Sequence, residues 1–299
     1  MTTIDADLRR KNREAVETFI DTNKRDRYLE QWADDGVKEL PFAVLEETRW
    51  AGIAEVRRNS EENAVRRSGG DASRLDLRIF ESADPNVFWV TNRCSEQKTF
   101  NGAPYPQRYV HQLVLRDGKV AVYREFFSSL VLERALLRQA PPALPGWTPV
   151  AYDPPREFDE TTAAASAESA RVVESWLAAD LSDPKSRDEL WAEDALLEYP
   201  FAPPNQAKAA WQGRDELRAR AEWVAENFVG CAHVDIELFP SVDPGLVWAR
   251  SRMADTATAF GRPYPQTYLS AFNVRDGRIR LAQIYHDPLL VATVVPLAG

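Results

Sequence analysis

"LRIFESADPNVFWV", from Leu77 to Val90, returns as "IELFPSVDPGLVWA", from Ile236 to Ala249, a step of 159 residues (Leu77 to Ile236). The same step carries "NGAPYPQRY" at Asn101 onto "FGRPYPQTY" at Phe260, "RDGKV" at Arg116 onto "RDGRI" at Arg275, and "WADDGVKELPFA" at Trp32 onto "WAEDALLEYPFA" at Trp191. Around Trp50 and Trp211 the step slips to 161, as a short loop insertion produces. A repeat of this length means that one structural unit is built twice, and it decides the architecture before any single element is assigned.

Outward from the repeat, "QAPPALPGWTPVAYDPPREFDETTAAASA" (Gln139 to Ala167) is rich in proline and then in small residues, and lacks a periodic pattern. We therefore expect domains at 1–138 and 164–299 joined by a linker at 139–163. A chain of 299 residues, 44% hydrophobic and 28% charged, is long enough for two cores of ordinary size.

Within one unit, Ala15, Val16, Phe19 and Ile20 fall on one side of a helix spanning Leu8 to Asn23. A short second helix at Arg27 to Ala33, a strand at Val37 to Leu40 and a third helix from Gly52 to about Arg67 follow. Leu77 to Phe80, Val87 to Gln97, Tyr105 to Leu115 and Val120 to Phe127 then read as strands, the last two closed by Asp117-Gly118 into a hairpin. About three helices before a strand meander predict an α+β unit, a curved and mostly antiparallel sheet whose hollow face, partly closed by helices, receives ligands.

A net charge of −9 disfavours nucleic acid and anionic membrane as partners. Cys94 and Cys231 sit in no metal or disulfide spacing, no apolar run is long enough to span a bilayer, and no phosphate loop or nucleophile elbow is present. The expectation is a cytoplasmic protein that uses no metal and no organic cofactor and takes a small-molecule substrate.

The strings "IFESADPNVFWV", "GAPYPQRYVHQLVLRDGKV" and "REFFSSLVLERAL" resemble, in order, motifs of the PhzA/PhzB branch of the NTF2-like (SnoaL-like) superfamily. That resemblance covers most of the first repeat and the sheet half of the second. It implies two tandem NTF2-like cone-shaped units forming an intrachain pseudo-dimer, monomeric or paired again as a homodimer. It also implies acid–base work on a small, often cyclic metabolite, and Glu125 falls on the acid–base glutamate of that branch. The helical His and Ser of the branch fall near Asn59 and Asn63 in the first repeat and near Arg220 and Val224 in the second, where Ile284 takes the glutamate position. "WADDGVKELPF" is also similar to a ketosteroid isomerase segment ending in a basic Asp before Pro, but Leu40 and Tyr199 stand at that position here.

Strand parity adds further candidates. Glu125 shares a face with Tyr123 and Phe127, and a carboxylate in a partly apolar hollow is suited to proton transfer near neutral pH. His111 has the parity of Tyr105 and Tyr109; in the second repeat His286, aligned with Phe127, has the parity of the Glu125 position, Tyr199 and Tyr268 are further substrate-contact candidates, and Asp287 is a candidate whose side chain points to the opposite face unless Pro288 bends the strand. His286 is the acid–base candidate there. Most of the nine tryptophans recur at matched positions and read as core; Trp89 is the one considered for stacking on a substrate. Two functions stay open: a cofactor-independent enzyme performing cyclisation, condensation or dehydration of a carbonyl compound in specialised (natural-product) metabolism, or a non-catalytic binder with degenerate pockets.

Overall fold

The structure is a computed structural model describing residues 3–21, 28–43, 45–66, 74–94, 99–155, 157–203, 208–254 and 256–294. It divides into two units, 1–142 and 143–299.

In the first unit, α1 (Thr3–Ile20) leads to β1 (Trp32–Glu39), β2 (Arg49–Ala51), α2 (Ile53–Arg66), β3 (Arg74–Glu81), β4 (Val87–Cys94), the short β5 (Thr99–Phe100) and β6 (Ala103–Pro104), β7 (Arg108–Arg116), β8 (Lys119–Phe127) and α3 (Ser129–Leu136). The sheet order is β2-β1-β8-β7-β4-β3, with β1 parallel to β8 and every other pairing antiparallel. Asp117 and Gly118 both have positive φ, the requirement of a two-residue turn whose twist matches the strands it joins.

The second unit repeats this plan. It runs α4 (Glu160–Ala178), β9 (Trp191–Glu198), β10 (Ala210–Gln212), α5 (Arg214–Asn227), β11 (Phe228–Val229), β12 (His233–Pro240), β13 (Leu246–Met253), β14 (Ala257–Thr258), β15 (Thr267–Arg275), β16 (Arg278–Tyr285) and α6 (Pro288–Val294), with sheet order β10-β9-β16-β15-β13-β12. Gly52 and Gly213, at φ 84° and 80°, make the turn from β2 into α2 and from β10 into α5, a conformation that a side chain resists.

Curvature has a local cause that is present twice. The pairing of β3 with β4 slips between Leu75 and Arg78, and that of β12 with β13 between Val234 and Glu237. Asp76 and Asp235, inside those slips, take the left-handed conformation at φ 54° and 51°, and their carboxylates pair with Arg93 and Arg252 on the neighbouring strand. An extra residue of this kind bends its strand and sharpens the twist.

One helix lies over the concave face of each unit. Along α1, Asn12 anchors the polar end by donating from Nδ2 to the Pro85 carbonyl (2.9 Å), while Val16, Phe19 and Ile20 are buried and Phe19 meets Trp32 edge-on at 5.6 Å. In α4 the buried face is Ala170, Val173, Trp176 and Leu177, and Trp176 meets Trp191 at 5.7 Å.

Two differences from the sequence expectation stand out, the second helix and the closing helices. The segment read as a second helix is a 3-10 turn at Leu29–Gln31, with Arg27 outside the described residues, and β1 begins at once at Trp32. The strand expected to reach Gln97 is described only to Cys94, since 95–98 lie outside the described residues. A helix also closes each unit after its last strand, so helices do not only lead.

Residues 139–163 also have structure of their own. The unit boundary falls between Pro142 and Ala143, the Trp147 indole donates to the Tyr285 hydroxyl (3.1 Å), and the Ala151 amide donates to Asn273 Oδ1 (3.0 Å). Helix α4 already starts at Glu160, capped by Asp159, whose side chain accepts from the Thr162 amide.

Candidate functional site

Strand register assembles the first hollow. Side chains alternate along a strand, so cross-strand partners share a face. The β7–β8 pairing sets His111 opposite Glu125, Leu113 opposite Tyr123 and Tyr109 opposite Phe127, while β4 adds Val90 opposite His111. The parallel β1–β8 pairing sets Lys38 beside Tyr123. This face looks toward α1, where Phe19 contacts Tyr123 at 5.1 Å.

A continuous polar chain crosses this face. Tyr123 Oη lies 2.9 Å from Glu125 Oε2 and 2.7 Å from His111 Nδ1, and His111 Nε2 lies 2.7 Å from Asn92 Oδ1. The His111 ring is stacked between Tyr109 (5.4 Å, 15°) and Tyr123 (5.5 Å, 13°), which fixes its plane. Burial pushes the Tyr123 phenol well above its ordinary pKa, the Glu125 charge pushes further, and Arg74 opposes. Tyr123 therefore keeps its proton, and Glu125 is half-buried at the end of the chain.

Tyr105 is buried against Phe100 at 5.2 Å, and its phenol is also raised, first by burial. Beside it Gln107 holds the rim: its Nε2 donates to the Ser128 carbonyl (3.0 Å) and its Oε1 accepts from the Ser128 amide (3.1 Å). These two bonds clamp the start of β7 to the end of β8.

Asn59 and Asn63 come from one face of α2. Asn59 Oδ1 accepts from Lys38 Nζ (2.8 Å) and from Asn63 Nδ2 (3.1 Å), and the Lys38 ammonium sits 5.6 Å from the Trp50 ring centroid. The structure thus brings Glu125, His111, Tyr109 and Tyr105 together, and adds Tyr123, Asn92, Lys38 and Arg74.

Trp89 does not join them. It pairs with Gln112 and Phe80, one residue out of phase with Val90, so its fully buried indole lies on the opposite face, as core.

The second hollow has the same walls and different contents. Stepping 159 residues, His111 becomes Ser270, Tyr123 becomes Ala282, Glu125 becomes Ile284, Lys38 becomes Leu197 and Arg74 becomes His233; at the step of 161, Asn59 becomes Arg220. The positive charge has moved from strand to helix. Tyr199, Tyr268 and His286 do gather here: His286 lies 5.3 Å from Tyr199 and 6.2 Å from Tyr268, ring to ring.

Burial first, and then the Arg220 charge, hold His286 down to about 3. Neither of its ring nitrogens makes a hydrogen bond, although the Ile284 carbonyl is near enough to oppose the shift slightly. His233, given no role by the sequence, is likewise held at about 3 by burial and then by Arg187, with Nδ1 2.9 Å from Ser251 Oγ.

Asp287 caps a helix. The strand stops at Tyr285, Pro288 opens α6, and Asp287 Oδ1 accepts from the Leu289 amide (3.0 Å) as the cap of that helix.

The profile described as Phenazine biosynthesis protein A/B matches residues 2–144, and the one described as SnoaL-like domain matches residues 170–282. The phenazine biosynthesis protein PhzB of Pseudomonas fluorescens is 32% identical over 141 residues, covering 45% of this chain and 85% of that protein. The chain belongs to the phenazine biosynthesis A/B family. Another relative, the uncharacterized protein YesE of Bacillus subtilis, is 33% identical over 113 residues, 36% of this chain and 74% of its own. Among solved structures, the phenazine biosynthesis-related protein PhzB2 of Pseudomonas aeruginosa is 27% identical with a TM-score of 0.40, covering 48% of this chain and 97% of that one.

Membership in the A/B family, with a SnoaL-like domain in tandem, places the chain among the small-molecule biosynthetic proteins of the NTF2-like fold. No helix among the described residues is long and apolar enough to cross a membrane.

Proposed function

We propose that the first unit is a cofactor-independent enzyme of specialised metabolism that exchanges protons with a small, cyclic, carbonyl-containing metabolite, in a cyclisation, condensation or dehydration. Glu125 is the group that meets the substrate. The observation that carries this reading is the unbroken chain Asn92–His111–Tyr123–Glu125 on the hollow face of the sheet.

Counting protons shows what that chain does. With Glu125 ionised, the Tyr123 hydroxyl donates to it and accepts from His111 Nδ1–H, while His111 Nε2–H donates to Asn92 Oδ1. With Glu125 protonated, its O–H donates to Tyr123, Tyr123 donates to His111 Nδ1, and His111 Nε2–H still donates to Asn92. Both arrangements hold the same three protons. In the first arrangement, in which His111 is an imidazolium, Glu125 takes a proton beside a carbonyl on Oε1 and returns it from that oxygen to a leaving oxygen, while Oε2 stays bonded to Tyr123.

Lys38 and Arg74 supply positive charge for an oxygen that turns anionic during such a step. The names of the relatives support a biosynthetic setting. Asn59 and Asn63, tied to Lys38 where the resemblance places His and Ser, support a substrate different from theirs.

Hydrogen–deuterium exchange beside the carbonyl of cyclic ketones, followed by NMR in D2O, tests this without a known substrate. The native protein should accelerate exchange, and Glu125→Gln should slow it by about 10²- to 10⁴-fold. Equal rates for the two proteins would remove Glu125 from the mechanism, and no acceleration by either would favour a binding protein.

A further inference from the structure

The proton chain of the first unit ends on an amide. Asn92 is 1% exposed and stands on β4 two residues beyond Val90, the residue opposite His111, so its side chain belongs to the same wall one step along. Its Oδ1 lies 2.7 Å from His111 Nε2, and on the far side of the ring Tyr123 Oη lies 2.7 Å from Nδ1.

An amide oxygen only accepts, so the ring nitrogen that faces it carries a proton in either state of the chain. Nδ1 is thereby left to Tyr123, bare or protonated. Turning the ring over would exchange the two nitrogens, but Tyr109 and Tyr123 stack on it at interplanar angles of 15° and 13° and would have to be pushed aside.

The acceptor is also neutral. A carboxylate at this position would hold the ring as an imidazolium, because an opposite charge favours the charged form. An apolar side chain would leave Nε2–H without that partner and would disfavour the imidazolium most, since a charged donor loses more than a neutral one. The amide lies between these cases: it supports a positive ring through a charge-assisted bond, and it keeps the bond when the ring is neutral.

Two cations face this wall. Arg74 on β3 acts on Tyr123, and Lys38 on β1 stands beside it in register. Tyr28 acts on Tyr123 as well, while Tyr105, with Cys94 near it, bonds to Tyr109 farther along. Burial keeps the Tyr123 and Tyr105 phenols protonated, and α1 contributes the apolar Phe19. A further positive charge on the ring is supported against those cations by Glu125, acting through Tyr123, and by the Asn92 oxygen.

In the second unit these groups are exchanged together. At the step of 159, Asn92, His111 and Tyr123 become Ser251, Ser270 and Ala282, and the Ser251 hydroxyl meets His233 Nδ1 at 2.9 Å instead.

We propose that Asn92 is a positioning residue that holds His111 with Nδ1 toward Tyr123 and thereby decides whether the shared proton of the chain rests on the ring or on Glu125. The move is two linked transfers, Nδ1–H to Tyr123 Oη and the Tyr123 proton to Glu125 Oε2, so no proton is gained or lost. Asn92 itself meets no substrate. The inference rests on the proton-transfer reading only for the rate it alters, because the state of the ring is read separately.

The chain has three histidines, so long-range 1H–15N spectra of the full chain labelled with 15N-histidine resolve each ring, and His111→Phe assigns the one in question. Native His111 should show Nε2 protonated throughout the pH range in which the protein is folded. Asn92→Leu should lower the pH at which the ring becomes neutral by about one unit or more, the worth of a bond to a charged donor. Asn92→Asp, which keeps an oxygen there and adds a charge, should raise it by about as much.

The ketone exchange assay gives the second readout. In Asn92→Leu the shared proton rests on Glu125, which then ionises only by giving that proton to water. The rising limb of rate against pH should move up by about one unit or more, about tenfold slower at any pH on the limb, and Asn92→Asp should show no such move.

Nε2 unprotonated in the native protein, an Asn92→Leu ring that becomes neutral at the native pH, an exchange limb that stays in place, or Asn92→Asp moving the limb as far as Asn92→Leu would each overturn the proposal. Where Asn92→Leu does not fold, the native spectrum and Asn92→Asp decide, and a ring whose titration Asn92→Asp leaves unmoved overturns it. Absence of exchange in every protein would refute the proton-transfer reading, and the ring spectra would still decide the role of Asn92.

Discussion

Replacing His286 with leucine should make the second unit markedly less sensitive to acid. The folded protein holds this imidazole down to about 3, against an ordinary value of 6.5, through burial and then the Arg220 charge. Between those two values the unfolded chain carries a proton on His286 that the folded chain does not, so unfolding takes up one proton and stability falls as pH falls. The contribution is fully present above pH 6.5 and shrinks by about 1.4 kcal/mol for each pH unit below it.

From neutral pH to pH 5 the native protein therefore loses about 2 kcal/mol through this one ring, equivalent to roughly 4–8 °C in melting temperature for a unit of this size. Leucine fills a similar space and cannot titrate. Melting curves of native and His286→Leu proteins at pH 7 and pH 5, read by circular dichroism, isolate the effect, because carboxylates that titrate in both proteins cancel in the comparison. The native protein should lose about 2 kcal/mol more than the variant. Equal losses would mean that the folded ring protonates as easily as the unfolded one, and the reasoning about its burial would fail.

Three other outcomes are expected. Tyr123→Phe keeps the ring packed under Phe19 but cuts the link between His111 and Glu125; it should slow deuterium exchange at the ketone α-carbon by at least about tenfold and, through two lost bonds at a buried site, cost about 1–3 kcal/mol in unfolding. Gln107→Ala removes both bonds to Ser128 at a fully buried site and should cost about 2–3 kcal/mol in urea unfolding of the first unit. Asp76→Val and Asp235→Val each force a branched side chain into a left-handed conformation and forfeit a pairing with Arg93 or Arg252; each should cost about 1–3 kcal/mol, the first in unit one and the second in unit two.

Much of the fold was legible because its signals are local. The repeat, the Asp-Gly turns and the alternation Tyr123, Glu125, Phe127 are all carried by neighbours in sequence. The opening of β1 was not: Asp34, Asp35 and Gly36 interrupt alternation there, and the pairing with β8 slips between Trp32 and Val37. Helices α3 and α6 are eight and seven residues long, too short for periodicity to separate them from strand ends.

Parity found Glu125, His111 and Tyr109 on one wall because β7 and β8 form a hairpin whose register the turn fixes. Parity says nothing of Trp89, since Val87 to Val90 are buried on both faces and no alternation marks the phase. Lys38, Arg74 and Asn92 reach the hollow only through pairings between strands distant in sequence. Arg187 and Arg220 arrive from a turn and a helix packed over the sheet. No spacing in the chain announces such meetings.

The bulges at Asp76 and Asp235 set the bend of each sheet from positions outside the first unit's proton chain and outside the second unit's cluster of Tyr199, Tyr268 and His286. Shape and contents are thereby separable: one vessel, copied within a single gene, has been furnished in two ways. On that footing the fourfold exchange Ser251→Asn, Ser270→His, Ala282→Tyr and Ile284→Glu amounts to writing the first vessel's proton chain into the second, with its outline left as it was.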